Sequence, residues 1–256
     1  MKLLFNKELG LSYKSLSQEI RVLSEDWVGQ SIYCPNCGHV EIKRHPNNKP
    51  VADFYCSGCN EEYELKSKKD SMGVKIVDGA YDTMIERLQS SNNPNFFLLN
   101  YNFENYSIKN FLVIPKHFFV TEIIEKRNPL ALTARRSGWI GCNILLRSIP
   151  ETGKIFYVRN GKIESKERVL STWKKTLFLR EEKDNLAKGW LLDVMRCIEQ
   201  LGESNFTLEE IYNFENQLVQ LHPKNKHVKD KIRQQLQVLR DKGYLEFTMR
   251  GQYRLT

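Results

Sequence analysis

Four cysteines in two Cys-x-x-Cys pairs constrain the fold of this sequence more than any other feature. The pairs are Cys34/Cys37 and Cys56/Cys59, and 18 residues separate them. This spacing is typical of a Zn²⁺ site in which four thiolates complete a closed tetrahedron around one structural ion. Four cysteines without a metal are the alternative. A catalytic zinc is disfavoured, because four thiolates leave no position for water.

Length and charge favour an intracellular protein with a polyanionic partner. The 256 residues suffice for one large and one small domain, and 41% of them are hydrophobic. The net charge of +8 makes nucleic acid the first candidate partner. The sequence has no apolar stretch of about 18 residues, and the apolar opening at Met1–Phe5 is too short for a signal peptide. We expect a soluble cytoplasmic protein with no membrane contact, in which Cys142 and Cys197 are small buried residues.

The pattern up to about residue 180 predicts an α/β domain. Apolar residues at helical spacing in Lys7–Val28 predict one or two helices, and strand-like segments follow between Ser31 and Lys68. An amphipathic helix is predicted for Asp78–Gln89. Asn95–Tyr101 and Asn110–Pro115 are short apolar runs bounded by turn residues, which predicts buried strands. This order of elements indicates an α/β (α+β) sandwich.

The boundary of this domain is expected near Leu179. Before it, Asn160-Gly161 carries the signature of a tight hairpin. After it, Glu181–Gly189 is charged and nearly without apolar residues, which predicts a linker. We therefore predict a first domain over 1–182 and a second over 183–256.

The second domain follows the winged-helix plan of three helices and a hairpin. Trp190–Leu201 and Val228–Lys242 have the apolar spacing of helices. Between them, Thr207–Glu210 matches a capping box and predicts a helix that continues to Leu221. The alternating segment Tyr244–Leu255 predicts a terminal β-hairpin.

An acidic residue and a Glu-x-Lys triplet flank the second cysteine pair. Asp53 ends the string Pro50-Val51-Ala52-Asp53, and ten residues separate it from Glu64-Leu65-Lys66. Glu64 and Lys66 share one face of a strand because they are two residues apart. The pattern resembles the PD-(D/E)xK nuclease motif. Mg²⁺ prefers oxygen ligands, so Asp53, Glu64 and the Leu65 carbonyl are its predicted ligands for phosphodiester hydrolysis.

The role of the triplet leaves alternatives open. Lys66 either deprotonates the attacking water or stabilises the charge of the transition state. A solvated strand would present the same Glu-x-Lys pattern. The basic run Lys66–Lys69 either holds phosphates or is a solvated strand end.

A second candidate contact with nucleic acid is the segment Thr133–Trp139. Arg135 and Arg136 suit phosphate or guanine, and Trp139 suits stacking on a base or wedging between bases. A lone tryptophan is equally compatible with a packing role.

Positive charge is concentrated at the end of the predicted winged helix. Lys183–Pro223 has three basic and seven acidic residues, whereas Lys224–Arg254 has nine basic and three acidic ones. The exposed face of the third helix is predicted to read bases in the major groove, and its flanks to hold the DNA backbone. A winged helix that contacts only protein is the alternative. The predicted base-reading residues are Lys226, Asp230, Arg233, Gln234 and Gln237, and the flanking residues are Lys229, Lys231 and Arg250.

The sequence as a whole resembles the N6-methyladenine-dependent type IIM restriction endonucleases of bacteria. The matching strings lie at 50–56, 61–69, 92–97, 133–144, 231–242 and 250–254, and the departures lie mainly in loops around 40–45 and 103–106. The resemblance implies double-strand cleavage of GATC sites with methylated adenine, read by both domains. It assigns catalysis to Asp53, Glu64 and Lys66, zinc to the four paired cysteines, and methyl sensing to the loop of Trp139.

Two other functions fit the same residues. One is a zinc-containing winged-helix regulator that binds DNA without cutting it, and the other is a repair or recombination nuclease that ignores methylation. The expected partner is double-stranded DNA with adenine-methylated GATC, whereas the repair or recombination nuclease would favour branched substrates; we expect a monomer in solution.

Overall fold

The computed structural model describes residues 1–46, 52–90 and 93–256, which form two units. The first unit comprises 1–147 and 152–176, and the second comprises 148–151 and 177–256. Pro50 and Val51 of the predicted motif, and Asn92 of the matching string at 92–97, lie outside the described residues.

The first unit is built around a mixed sheet with helices. Its helices are α1 (Leu16–Ser31), α2 (Tyr81–Gln89) and α3 (Lys166–Thr176), and a 3₁₀ turn at Lys7–Gly10 precedes α1. Its strands are β1 (Ile42–Arg44), β2 (Phe54–Cys56), β3 (Glu62–Lys69), β4 (Lys75–Ala80), β5 (Asn95–Tyr101), β6 (Ile108–Ile114), β7 (Ile124–Lys126), β8 (Gly141–Leu145), β9 (Ile155–Arg159) and β10 (Lys162–Ile163).

Two sheets arise from these strands. The larger has the order β1-β2-β3-β5-β6-β9-β10, and the smaller has the order β4-β8-β7. In the larger sheet β3 and β5 run parallel, and the other neighbours run antiparallel. The mixed α/β character predicted for this part of the chain is confirmed.

An aromatic layer fixes β3 from the side of α1. Tyr63 of β3 stacks on Phe97 with ring centroids 4.3 Å apart, and Trp27 of α1 packs on Phe111 at 5.2 Å. Burying one such ring contributes roughly 1.5–3 kcal/mol. Because side chains alternate along a strand, Glu64 and Lys66 lie on the face of β3 opposite to Tyr63.

The predicted helix at Asp78–Gln89 is wrong over its first three residues. Asp78 and Ala80 belong to β4, which pairs with β8 in the register Asp78↔Cys142, and the helix begins at Tyr81. Pairing with a strand more than sixty residues away overrides the helical spacing, and the sequence alone does not reveal such a partner.

The hairpin predicted at Asn160-Gly161 is confirmed between β9 and β10. Asn160 has φ of 51° and Gly161 has φ of 74°. Both residues therefore take the left-handed conformation that a two-residue hairpin turn requires.

The second unit has the helices and hairpin of a winged helix. Its helices are α4 (Asn185–Leu201), α5 (Leu208–Tyr212), α6 (Glu215–Leu221) and α7 (Val228–Asp241), and its strands are β11 (Asn205–Thr207), β12 (Leu245–Met249) and β13 (Gln252–Leu255). The strands form one sheet in the order β11-β13-β12. The capping box is confirmed, since Glu210 N–H donates to the Thr207 hydroxyl and Thr207 N–H donates to Glu210.

Two predictions for this unit are wrong in part. Asn185–Gly189, predicted as linker, forms the start of α4, where the Asp184 side chain accepts from Ala187 N–H at 2.8 Å. The helix predicted to run to Leu221 is interrupted at Asn213-Phe214 and continues as α6. In the described parts of the chain, no helix combines the length and the apolar character needed to span a membrane.

Candidate active site

The four paired cysteines lie together in the first unit. Their sulfur atoms are all within 4.8 Å of one another. The Sγ atoms of Cys34 and Cys59 are 3.5 Å apart, and those of Cys37 and Cys56 are 3.6 Å apart. A tetrahedral ion with Zn–S bonds of about 2.3 Å needs sulfur separations of about 3.8 Å. The donor set therefore fits a structural zinc, and the predicted cluster is confirmed.

The second cysteine pair forms the turn of the hairpin between β2 and β3. Cys56 N–H donates to the Glu61 carbonyl at 2.9 Å across this turn. The hydroxyl of Tyr63 lies 3.2 Å from the Sγ atom of Cys34. Because Tyr63 immediately precedes Glu64, the cluster is bonded directly to the strand that carries the Glu-x-Lys triplet.

Helix α3 holds the first cysteine pair. Trp173 Nε1 donates to the Asn36 side chain at 2.9 Å, and Lys166 Nζ donates to the Gly38 carbonyl at 2.9 Å. Trp173 is fully buried. Two side chains of α3 therefore hold the Cys34–Cys37 loop in place, in addition to the thiols of the cluster.

Lys66 lies between two carboxylates. Its Nζ atom is 2.6 Å from Oε1 of Glu64 and 2.5 Å from Oδ1 of Asp78. Arg87 of α2 donates to Oε2 of Glu64 at 3.4 Å. The Glu64 side chain is 15% exposed and the Asp78 side chain 5%. These four residues form one partly buried charged cluster beside β3.

Burial and neighbouring charges shift the pKa values in this cluster. Burial raises the pKa of Glu64, and the charge of Asp78 raises it further, while Lys66 and Arg87 oppose the shift. Burial alone would lower the pKa of Lys66, but the two adjacent carboxylates raise it above its usual value. The cluster therefore favours an ammonium at Lys66.

The side chain of Asp53 reaches the backbone of the triplet. It directly precedes β2, and the pairing of β2 with β3 runs over Phe54↔Tyr63 and Tyr55↔Glu62. Next to this pairing, Oδ2 of Asp53 accepts a hydrogen bond from Leu65 N–H at 2.7 Å. The structure thus brings Asp53 to the middle residue of the triplet. Within the described residues, however, the ion pairs of Lys66 are with Glu64 and Asp78.

Asp53 also borders a cavity of about 530 Å³ between α1 and β3. Charged residues of both elements line it, among them Arg21, Lys68 and Lys69. Glu25, also in the lining, is 4% exposed and pairs with Arg21 at 2.7 Å and with Arg44. Asp53 is therefore the acid of the predicted set that faces open space next to basic side chains.

Two segments of the chain match known protein families. Residues 1–182 match the family described as DpnI: Dam-replacing family, and residues 186–255 match the Dam-replacing HTH domain. The chain belongs to the Dam-replacing family. This is a family of methyl-dependent restriction enzymes, so membership indicates a nuclease. The helix-turn-helix domain implies DNA binding.

The arginine and tryptophan segment of this Dam-replacing protein forms a loop between β7 and β8. Arg135 and Arg136 are exposed, and the guanidinium of Arg136 lies 4.7 Å from the centroid of the half-buried Trp139 ring. Leu130 N–H donates to the Trp139 carbonyl at 2.9 Å and fixes the base of the loop. A Cβ atom at Gly141 would lie 2.8 Å from the Trp139 ring, so the indole packs where only glycine leaves room.

Helix α7 of the Dam-replacing HTH domain turns the predicted base-reading face to solvent. Arg233 pairs with Asp230 at 2.9 Å, and Lys231 Nζ donates to the Gln234 side chain at 2.8 Å. Such exposed pairs contribute little to stability, so DNA can replace them at low cost. The exposed members of the predicted set are Lys226, Lys229, Asp230, Arg233, Gln234, Gln237 and Arg250, whereas Lys231 is half-buried.

Sequence reasoning missed two members of the charged cluster, Asp78 and Arg87. The alternation of exposed Lys75 and Val77 with buried Ile76 and Asp78 is a strand pattern that precedes α2. The sequence does not show this alternation, because the exposed Val77 is apolar and the buried Asp78 is polar, so only the structure reveals that Asp78 needs a partner. The sequence carries no signal for Arg87 either.

Proposed function

We propose that this member of the Dam-replacing family is a Mg²⁺-dependent type II endonuclease that makes double-strand breaks at GATC sites carrying N6-methyladenine. The observation that carries this proposal is the Glu64–Lys66 pair of the triplet, together with the hydrogen bond from Leu65 N–H to Asp53, on a hairpin whose turn contributes two of the four clustered cysteines. Family membership supports the nuclease class and the dependence on methylation.

The residues around the triplet have the chemistry that phosphodiester hydrolysis needs. Asp53, Glu64 and the carbonyl of Leu65 are oxygen donors of the kind that Mg²⁺ prefers, so the donor set fits the ion. Bound there, Mg²⁺ would neutralise charge at the phosphate and activate water. Lys66 sits 2.6 Å from Glu64 and would add positive charge next to the phosphate oxygens.

Of the two roles open for Lys66, we favour charge stabilisation. A general base must offer a free amine, but the amine of Lys66 contacts two carboxylates at 2.6 Å and 2.5 Å. Both contacts stabilise the ammonium form. Lys66 would then stabilise the negative charge of the transition state and would not accept a proton from the attacking water.

The second unit would bind the same site through α7. Arg233 and Gln234 are exposed on this helix and suit guanine and adenine, respectively, in the major groove. Lys229 and Arg250 lie at its flanks and would contact phosphates. This arrangement gives the nuclease a second reader of GATC.

The loop of Trp139 is our candidate for methyl recognition in the first unit. An aromatic wall gains under about 1 kcal/mol from burying one methyl group. Rejection of unmethylated adenine therefore requires, in addition, the exclusion of water from the pocket. The fixed position of the indole against Gly141 supports such a wall.

A paired digest tests the proposal. The protein with Mg²⁺ is expected to cut plasmid from an adenine-methylating host at GATC and to leave unmethylated plasmid whole. Lys66→Ala should lower cleavage by at least about 100-fold and leave DNA binding on a gel unchanged. Lys174→Ala, an exposed lysine of α3, is the matched control and should cut normally.

Each alternative outcome has a defined meaning. Equal digestion of both plasmids would support a nuclease that ignores methylation. Binding without any cutting by the wild-type protein would support a regulator. Normal cleavage by Lys66→Ala would remove the triplet from the catalytic machinery.

A further inference from the structure

One carboxylate of the charged cluster comes from outside the main sheet. Asp78 lies in β4 of the smaller sheet and faces inward together with Ile76. Its side chain is 5% exposed, and its Oδ1 atom lies 2.5 Å from Lys66 Nζ. A buried carboxylate is retained at a cost unless it is paired, and here the partner is the lysine of the Glu-x-Lys triplet.

We propose that Asp78 is a positioning residue that holds the Lys66 ammonium in place, a role that rests on the nuclease function proposed above. Lys66 is shared between Glu64, a proposed metal ligand, and Asp78, which is outside the proposed ligand set. If Glu64 binds the metal ion, Asp78 still accepts a hydrogen bond from the Lys66 ammonium. Without Asp78, a largely buried ammonium would lose its remaining acceptor and leave its position.

The helix that follows β4 contacts Glu64, the other charged residue of the triplet. Arg87 of α2, which directly follows β4, donates to Glu64 at 3.4 Å. Glu64 and Lys66 are therefore each contacted by a residue of the stretch 75–89. The position of this stretch controls the separation of the two catalytic groups.

The test compares Asp78→Asn with Asp78→Glu and with Asp82→Asn, an exposed acid at the start of α2. Single-turnover cleavage by Asp78→Asn should be slower by about 10- to 100-fold, because a displacement of about 1 Å costs a rate factor of that order. Binding of methylated duplex in Ca²⁺ should change less than about twofold, since no DNA contact is altered. Asp78→Glu should recover part of the rate, and Asp82→Asn should equal wild type.

A second comparison measures stability without Mg²⁺ or DNA, and residual cleavage in a separate assay. Thermal unfolding of the metal-free nuclease site, with zinc retained, is compared for Asp78→Asn, Lys66→Met and the double variant. Each single variant should lower the melting temperature by about 5 °C, because each leaves the partly buried cluster of Glu64, Lys66, Asp78 and Arg87 with one uncompensated charge. The double variant should lose clearly less than the sum, and adding Asp78→Asn to Lys66→Met should not slow the residual cleavage further.

Full cleavage by Asp78→Asn, with an inactive Lys66→Ala, would overturn this inference and leave the proposed function intact. Additive losses of melting temperature would also overturn it. Full cleavage by Lys66→Ala would instead refute the catalytic assignment itself. Should Asp78→Asn fail to fold, Asp78→Glu carries the test, because it keeps the charge but moves it by one methylene: an unchanged rate in that variant overturns the inference.

Discussion

The two units of the protein place their charged side chains in opposite ways. In the first unit Glu64, Lys66 and Asp78 are mostly buried, and the two carboxylates lie 2.6 Å and 2.5 Å from the Lys66 amine. On α7 of the second unit, Arg233 and Asp230 form a pair whose side chains are 57% and 69% exposed. The buried charges are fixed before any substrate arrives, whereas the exposed ones are free to change partners.

Under the proposed function, this difference gives the two units different roles. Fixed charges in a poorly hydrated place act strongly on a reacting group, because they need no rearrangement during the reaction. Exposed charges interact weakly with each other and supply affinity and orientation on DNA. Substitutions in the first unit should therefore affect cleavage, and those on α7 should affect binding.

Removal of zinc should give the largest effect and should separate the units. Structural zinc in small domains contributes on the order of 10 kcal/mol to folding. Cys56→Ser, or removal of zinc by a strong chelator followed by dialysis into Mg²⁺, should expose β2 and β3 to hydrogen exchange and abolish cleavage, while α7 stays protected. Hydrogen exchange by segment, together with the zinc content, measures this.

Cys142→Ala is the control for the zinc experiment, because Cys142 is equally buried but lies outside the cluster. It should retain about one zinc per chain, as a single Cys₄ site requires. If β2 and β3 stay protected after the loss of zinc, the hairpin of these strands does not depend on the metal. The contrast between the units would then be weaker.

Arg233→Ala should have an intermediate effect, confined to binding. Loss of a base-reading arginine costs about 1–3 kcal/mol, or roughly 5- to 150-fold in affinity, and relaxes sequence preference at one position. Titration of methylated duplex at two salt concentrations measures this, with the single-turnover rate at saturating enzyme expected to be unchanged. Arg168→Ala, an exposed arginine of α3, is the control that should bind normally. A lower single-turnover rate of Arg233→Ala at saturating enzyme would contradict a role of α7 in binding alone.

Trp139→Ala should have the smallest effect, a loss of selectivity. Contact with one methyl group is worth under about 1 kcal/mol, so the ratio of cleavage between methylated and unmethylated duplexes should fall about fivefold or less from this contact alone. Trp139→Phe should keep part of the ratio because it keeps an aromatic wall. An unchanged ratio in Trp139→Ala would place methyl sensing elsewhere, for example on the second unit.

Local chemistry made several parts of this fold predictable. The spacing of the cysteine pairs determined the four-sulfur cluster, since ligand geometry leaves little freedom. Thr207 with Glu210 and Asn160-Gly161 each specify a cap or a turn within four residues, and both appear as predicted. These features can be predicted because the residues that form them are close together in the sequence.

Non-local contacts were the part that sequence could not supply. β4 pairs with β8 across more than sixty residues, so Asp78 was assigned to a helix, and its contact with Lys66 remained hidden. The break between α5 and α6 at Asn213-Phe214 has neither proline nor glycine to announce it. Asp53 and its neighbours could be proposed from a motif, but the hydrogen bond to Leu65 N–H depends on where β2 parts from β3.

The close packing of Trp139 on Gly141 makes the position of the indole sensitive to a single added carbon atom. A Cβ atom there would stand 2.8 Å from two carbon atoms of the indole, closer than side chains pack, so Gly141→Ala must tilt the ring or shift the strand. The group that this substitution adds to the protein is a methyl, the same group by which the two forms of adenine differ. Under the role proposed for Trp139, Gly141→Ala is therefore expected to change methyl selectivity by moving the indole, with no substitution at position 139.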